Sequence, residues 1–523
     1  MPISSHSLIR HGSMLSLLTL VSRILGLIRE MVKASLLGTS ALSDAFSVAF
    51  LIPNLFRRLF AEGSISVAFI PTFKGFLLED NKAKTRDFLS CMLTFLTFFV
   101  SMAVVIGIIV APFVVRLFGM SDTFDETVLL TQIMFPFLAF ISLAALFQGI
   151  LNSVNSFTPS GLAPILLNLV TILCAYGLSS FTANPARAMA VGIFAGGLLE
   201  AAIQLPFVVR KGFSFMFTSL PRAMKNSGVK SVLHLIAPTI IGMAAYQLND
   251  LVSTALAGNA GEGVVSSLQY SLRIQELILG IFAVSIGTVM LPDLAEHAKS
   301  GQWDTYNERL AIALRVIALI TIPITFFTLA QGDSLIRLLF QNLRFDETSV
   351  TLTRAAFTFH MPGLFFIAVN RILAPAFYAQ SDSKSPSLAG IISFGVNIAL
   401  ATILAGPLRG AGIALALSAA SAINTVLLLV FLKRNPHIAV GKVLHAVLLY
   451  AVKLLVFSAV ATLPVYYLGP RISAVFTGQG RIIAYGLPLF LMGILFAAVG
   501  VVLLLVSRDK QLAAILKLLK RKG

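Results

Sequence analysis

Apolar runs of helical length follow one another from end to end of this chain, and four arginines interrupt them: Arg23, Arg29, Arg57 and Arg273. No loop is long enough to hold a soluble domain, and the alternating ten-residue strands of an outer-membrane barrel are absent. An all-helical chain that crosses a bilayer many times is what remains. Composition agrees: 57% of the residues are hydrophobic and only 12% are charged, against about 25% charged in a soluble protein. An arginine at the bilayer centre costs roughly 2.5–3.5 kcal/mol on insertion scales, so it is usually aimed at protein, a watery cavity or an anion. Four of them describe a buried cationic cavity through which something negatively charged passes.

The net charge of +17 would suggest nucleic acid in a soluble protein. Here the basic residues collect in alternate loops, as topology requires. Arg210, Lys211, Arg222, Lys225 and Lys230 follow one another without an acid, and six basic residues from Arg508 onward face only Asp509. The intervening connections 38–43 and 259–263 have almost none. Both termini are therefore expected in the cytoplasm, with an even number of helices and no nucleic-acid partner. Cys91 and Cys174 both lie in apolar runs and form no disulfide framework. The first apolar stretch holds two arginines and lacks a convincing small-residue cleavage site, so it does not read as a cleavable signal.

Fourteen spans are expected, near 13–37, 42–72, 86–116, 127–152, 160–182, 187–209, 230–257, 264–294, 307–338, 349–380, 386–405, 410–433, 441–467 and 482–506. Several exceed the roughly 20 residues needed to cross, which implies tilt, kinks or extension beyond the bilayer. An internal repeat divides them. Ser64-Ile65-Ser66-Val67 before Pro71 resembles Ser285-Ile286-Gly287-Thr288 before Pro292, and Ser156–Ser160 resembles Ser383–Ser387 ahead of helices carrying Asn168 and Asn397. Each copy would hold six helices, so the two face the same way about a pseudo-twofold along the membrane normal. The expected domains are an N-terminal lobe (1–209), a C-terminal lobe (210–433), and two additional helices with a basic tail (434–523).

Within the first span, Arg23 and Arg29 lie about 120° apart around the helix and about 9 Å apart along it. Lys33, nearer the helix end, is expected to snorkel. In the second span Pro53 invites a bend, Arg57 and Arg58 point to different faces, and Glu62 follows Arg58 by four residues, as a pairing partner would. Asp44 reads equally as a helix cap, an interfacial carboxylate or a gate. In the eighth span Arg273 and Glu276 share a face and either neutralise each other or form a gate that an anionic substrate opens. Pyrophosphate suits such guanidiniums, whose planar fork makes paired, charge-assisted hydrogen bonds. No phosphate loop, HExxH or Cys/His metal spacing occurs, so energy must come from an ion gradient, the membrane potential or the substrate's own gradient.

Ser22-Arg23-x-Leu25-Gly26-x-x-Arg29-Glu30, Asp44-Ala45-Phe46, the run Pro53–Gly63 and Gly287-Thr288-x-x-Leu291-Pro292 together resemble the MurJ (MviN) lipid II flippases of the multidrug/oligosaccharidyl-lipid/polysaccharide exporter superfamily. The resemblance covers nearly the whole chain. It implies export of the undecaprenyl-pyrophosphate-linked peptidoglycan precursor across a bacterial inner membrane by a transporter, not an enzyme. Lipid II, membrane lipids and the cell-wall synthesis machinery would be its partners. Arg23, Arg29, Arg57 and Arg273 match the family's substrate-binding cavity positions. Ser22, Asp44, Pro53, Glu62 and Glu276 match gating or functional positions. The last two helices resemble those that form a lipid groove. No cofactor is implied. Some members bind sodium through acidic and amide groups of the seventh and eleventh helices; here Asn397 is present, but Ser253 and Ala401 stand where the carboxylates would be. Asp250, one turn before Ser253, and Asn397 are the weak metal candidates left. Rival readings are a flippase for another polyprenyl-pyrophosphate oligosaccharide, a drug exporter of the same superfamily, a non-transporting scaffold, and an enzyme on the lipid-linked precursor. An arginine-rich cavity disfavours cationic drugs, a scaffold leaves the arginines without an anion, and an enzyme lacks a carboxylate cluster or metal motif.

Overall fold

Prolines and short polar residues cut the apolar sequence into helices. The computed structural model describes residues 5–58 and 64–513, and no strand occurs among them. They fall into two compact units, 1–266 and 267–523.

The first unit contains α1 (Ser5–Leu37), α2 (Ala41–Arg57), α3 (Ser64–Leu78), α4 (Lys82–Arg116), α5 (Phe124–Met134), α6 (Phe137–Ser153), α7 (Thr158–Gly177), α8 (Pro185–Arg210), the short α9 (Leu220–Lys225) and α10 (Ser227–Asn259). Asparagines start several of them: Asn81, Asn184 and Asn226 accept from backbone N–H groups of Lys84, Arg187 and Gly228 at 3.1, 3.0 and 2.9 Å, supplying acceptors that the first helical turn lacks. Small residues set the packing. A Cβ added to Gly192 would come within 2.9 Å of the Thr171 backbone, and one on Gly196 within 3.1 Å of Leu167, so α7 and α8 meet almost backbone to backbone. Phe69, Phe73, Phe76 and Phe88 stack where α3 meets α4.

The second unit holds most of α11 (Val264–Lys299), then α12 (Trp303–Phe340), α13 (Glu347–His360), α14 (Gly363–Tyr378), α15 (Lys384–Leu432), α16 (Val440–Val475), a π-helical turn (Ile482–Gly486) and α17 (Leu487–Val506). Ala318, Ile322, Ala451, Leu454 and Leu504 form one core where α12, α16 and α17 meet; Ala461, Val465, Met492 and Phe496 form another. The last two helices are thus packed onto α12.

Eight helical stretches among the described residues, with α5 and α6 counted together as one, are long and apolar enough to cross a membrane, nine if α13 and α14 count as one bent span. Two expected spans are interrupted. The 127–152 span breaks at Phe135–Pro136, and the 349–380 span bends by 46° between α13 and α14 ahead of Gly363. Proline lacks an N–H and crowds the preceding turn, which explains the breaks beside Pro136 and Pro362. The expected connection between the 386–405 and 410–433 spans is present inside α15, where two helices meet across a kink at Arg409 (φ 47°, ψ −129°). Pro53 does not break α2, which continues to Arg57.

Candidate substrate site and gate

At 1.5 Å per residue, Arg23 and Arg29 lie about 21 and 12 Å before the end of α1 at Leu37, well within the helix. Both are half-buried. Arg29 is held twice: its Nη2 donates to Glu30 at 2.9 Å, and its guanidinium lies 5.5 Å from the Phe50 ring. Ser22 contributes its backbone carbonyl, which accepts from Asn168 Nδ2 at 3.3 Å. Lys33 does not snorkel. It is buried, at 2% exposure, and donates to Ser47 Oγ of α2 at 2.7 Å, with Glu30 at 3.8 Å. A cation facing two polar groups inside the protein has no need to reach the bilayer surface.

At the end of α2, Arg57 Nε donates to Asn54 Oδ1 at 2.8 Å, while Arg58 turns to Asp250 of α10 at 3.4 Å. The two arginines therefore serve different neighbours, as their spacing implies. Glu62, the expected partner of Arg58, lies outside the described residues. Asp250, a sodium candidate in the sequence, has its carboxylate engaged by a guanidinium. Pro53 is buried inside α2.

Asp44 is buried, with 2% exposure. Ser40 caps α2, accepting from Ser43 N at 3.4 Å, which frees Asp44 for other work. Its two oxygens each accept a 2.7 Å hydrogen bond, from the backbone N–H groups of Gly263 and Ser266. Glu262 returns the favour by accepting from Ala41 N, the first residue of α2, at 2.9 Å. A carboxylate beside the positive end of a helix is stabilising, so two helix starts cap each other. In the sequence a cap is one of the readings open for Asp44, with nothing to say which helix it serves, and there is no sign of Glu262 or Ser47.

In the second unit Arg273 and Glu276 meet at 3.4 Å on one face of α11, 30% and 56% exposed. That is a loose contact. By comparison, Arg337 binds Glu347 at 2.5 Å and Asp333 at 2.6 Å. Asn397 and Ala401 are buried on α15. No group of three or more His, Cys, Asp or Glu side chains that could hold a metal occurs among the described residues.

Residues 33–479 match the family model for lipid II flippase MurJ. The chain belongs to the MurJ lipid II flippase family. It is 47% identical over 513 residues to a probable lipid II flippase MurJ of Treponema pallidum, covering 97% of both chains. It is also 33% identical over 428 residues to the lipid II flippase MurJ of Burkholderia cenocepacia, covering 80% of this chain and 82% of that one. Among solved structures, a MurJ in its inward closed conformation superposes with a TM-score of 0.77 at 23% identity, covering 95% of this chain and 99% of the other. An inward-facing multidrug-resistance MATE transporter follows the same path with a TM-score of 0.63 at 16% identity, covering 80% and 96%. At those identities the likeness shows the fold alone, which this MurJ family member shares with both structures. The chain is a multi-pass helical membrane protein.

Proposed function

We propose that this protein is a transporter that moves lipid II from the cytoplasmic to the periplasmic leaflet of a bacterial inner membrane. The family match over residues 33–479 carries the reading. The physical problem also fits the residues. A sugar-peptide head group on a doubly charged pyrophosphate cannot cross hydrocarbon, whereas its polyprenyl tail can stay in it. Guanidiniums inside the spans offer that pyrophosphate paired, charge-assisted hydrogen bonds.

In this reading fourteen helices cross the membrane with both termini cytoplasmic. Arg23, Arg29, Arg57 and Arg273 line one space that opens alternately to either side, and the reciprocal caps of Asp44 and Glu262 close one end of it. Arg273 stays loosely held by Glu276 until pyrophosphate competes. Membrane potential rather than sodium drives the cycle. Depletion in cells tests the function: lipid II should accumulate and stay inaccessible to an externally added periplasmic enzyme. Undiminished access after depletion would rule it out.

A further inference from the structure

His360 ends α13 at the bend of the 349–380 span, buried within the second unit, and no step proposed above uses it. Pro362 supplies no N–H to the turn before it, and the Leu364 N–H, which an unbroken helix would give to His360, goes to the Met361 carbonyl at 3.0 Å. Side chains make up the loss. Ser418 Oγ of α15 donates to the Phe359 carbonyl at 2.6 Å, Gln275 Nε2 of α11 to the His360 carbonyl, and Thr325 Oγ1 of α12 to the Met361 carbonyl at 3.3 Å. Three successive carbonyls at the bend thus receive donors from three different helices.

A break fastened on three sides is an anchor. Gly363 tightens it: a Cβ there would come within 3.0 Å of the Ser418 backbone, so α14 starts in direct contact with α15. The anchor grips α11 a second time, because Ser271 Oγ and His360 Nδ1 share a hydrogen bond at 2.7 Å. Both bonds to α11 are shielded from water, with Ser271 fully buried and Gln275 nearly so. Losing a partner there leaves an unsatisfied polar group, which is costly.

Ser271 and Gln275 lie one turn apart on one face of α11. At about 100° per residue, Arg273 points about 180° away from the centre of that face. Burial agrees: Ile274 is buried, whereas Arg273 is partly exposed. Two fastenings one turn apart set both the rotation of α11 about its axis and its depth. They therefore set the direction in which Arg273 leaves the helix. A rotation by one residue's step, about 100°, would bring Ile274 to the place of Arg273.

We propose that His360 is a positioning residue for the substrate site: held at the bend, it fixes the rotation of α11 through Ser271 and Gln275 and so aims Arg273 at the substrate's pyrophosphate. It acts through α11 and is not itself a substrate contact. The inference rests on Arg273 meeting the pyrophosphate, and its test separates that reading from the anchor. The imidazole makes one of the two bonds to α11 and the backbone carbonyl the other, so a substitution of His360 removes only the first.

Cysteine labelling of the full-length protein in detergent reads the rotation without substrate. In a Cys91→Ala, Cys174→Ala background, a maleimide should label Arg273→Cys faster than Ile274→Cys. His360→Leu and His360→Gln should narrow that difference. His360→Asn should preserve it, because an asparagine amide reaches the place of Nδ1 and a glutamine amide that of Nε2. Should His360→Leu fail to fold, Ser271→Ala removes the same bond from the other side and should narrow the difference in its place. Lipid II affinity should fall about two- to tenfold in His360→Leu, as for one net hydrogen bond, and should fall no further when His360→Leu is added to Arg273→Ala. An unchanged labelling difference in the Leu and Gln variants, the same narrowing in His360→Asn, or equal losses of affinity with and without Arg273 would overturn the proposal. A narrowed difference with undiminished lipid II binding by Arg273→Ala would support the anchor and overturn the reading of Arg273 as a substrate contact.

Discussion

Asp44 Oδ1 accepts the backbone N–H of Ser266 at 2.7 Å, so a carboxylate at the start of α2 caps the first turn of α11 instead of its own helix. Caps of this kind are worth about 0.5–2 kcal/mol, and a charge on a helix dipole adds roughly 0.3–1 kcal/mol. Losing about 1.4 kcal/mol shifts a two-state equilibrium tenfold.

That magnitude makes the cap testable as a gate. Ser266 is fully buried here, so in a Ser266→Cys background a membrane-impermeant maleimide should label slowly. Adding Asp44→Ala should speed labelling about tenfold, and Asp44→Asn, which keeps an acceptor, should speed it less. Equal rates in all three would show that the cap does not hold this end closed.

The Arg273–Glu276 contact is long and exposed, and exposed pairs contribute only about 0.2–1 kcal/mol. Glu276→Gln should therefore leave the thermal midpoint within a few degrees of wild type while changing substrate affinity or flipping rate. A drop in stability with unchanged transport at equal protein level would make the pair structural.

For the cavity arginines, hydrogen bonds to charged groups are worth about 1.5–3 kcal/mol, or roughly ten- to hundredfold. Alanine at Arg23, Arg57 or Arg273 should cost export by at least that factor at near-normal membrane levels, with lysine rescuing poorly. Arg29→Ala should differ, losing stability as well, because Arg29 also bonds Glu30 and faces Phe50. Normal export from Arg23→Ala and Arg57→Ala would remove the cationic cavity.

How far the sequence could be read depends on the kind of interaction. Helix content was legible, because apolar runs and their asparagine starts depend on local chemistry. Breaks were partly legible: Pro136 and Pro362 are visible in the sequence, yet the expected spans passed through both. Partners of charged residues were the least legible. Spacing correctly separated Arg57 from Arg58 but could not find Asp250, 192 residues away. Lys33 read as a snorkelling end residue because nothing local reveals that α2 presents Ser47 to it.

Acid stability should report on Asp509, which lies beyond α17. Burial pushes its carboxyl up, but the Lys453 ammonium at 2.7 Å, the Leu512 N–H and the Tyr450 hydroxyl together hold it below the usual carboxylate value. A depressed folded-state value contributes stability that is complete above the unfolded value, about 3.9, and is lost as pH falls through the folded one. Wild type should thus lose part of its thermal stability below about pH 4. Asp509→Asn should be less stable than wild type at pH 7 and converge with it in acid. Parallel curves for the two proteins would show that Asp509 contributes nothing through its charge.

Energy coupling yields the last prediction. Of the side chains considered for sodium, Ala401 offers no oxygen and Asp250 is engaged by Arg58 at 3.4 Å, which leaves the amide of Asn397 and the Ser253 hydroxyl. Sodium gives up its hydration shell for several oxygens, usually with a carboxylate among them, and an amide with a hydroxyl is a weak substitute. The membrane potential, in contrast, acts on any charge that moves, with about 2.3 kcal/mol per charge per 100 mV. In reconstituted vesicles, dissipating the potential alone should therefore slow flipping, and an imposed sodium gradient at fixed potential should leave the rate unchanged. Asn397→Ala should not alter the response to sodium. A rate that follows the sodium gradient at constant potential would refute potential-driven coupling.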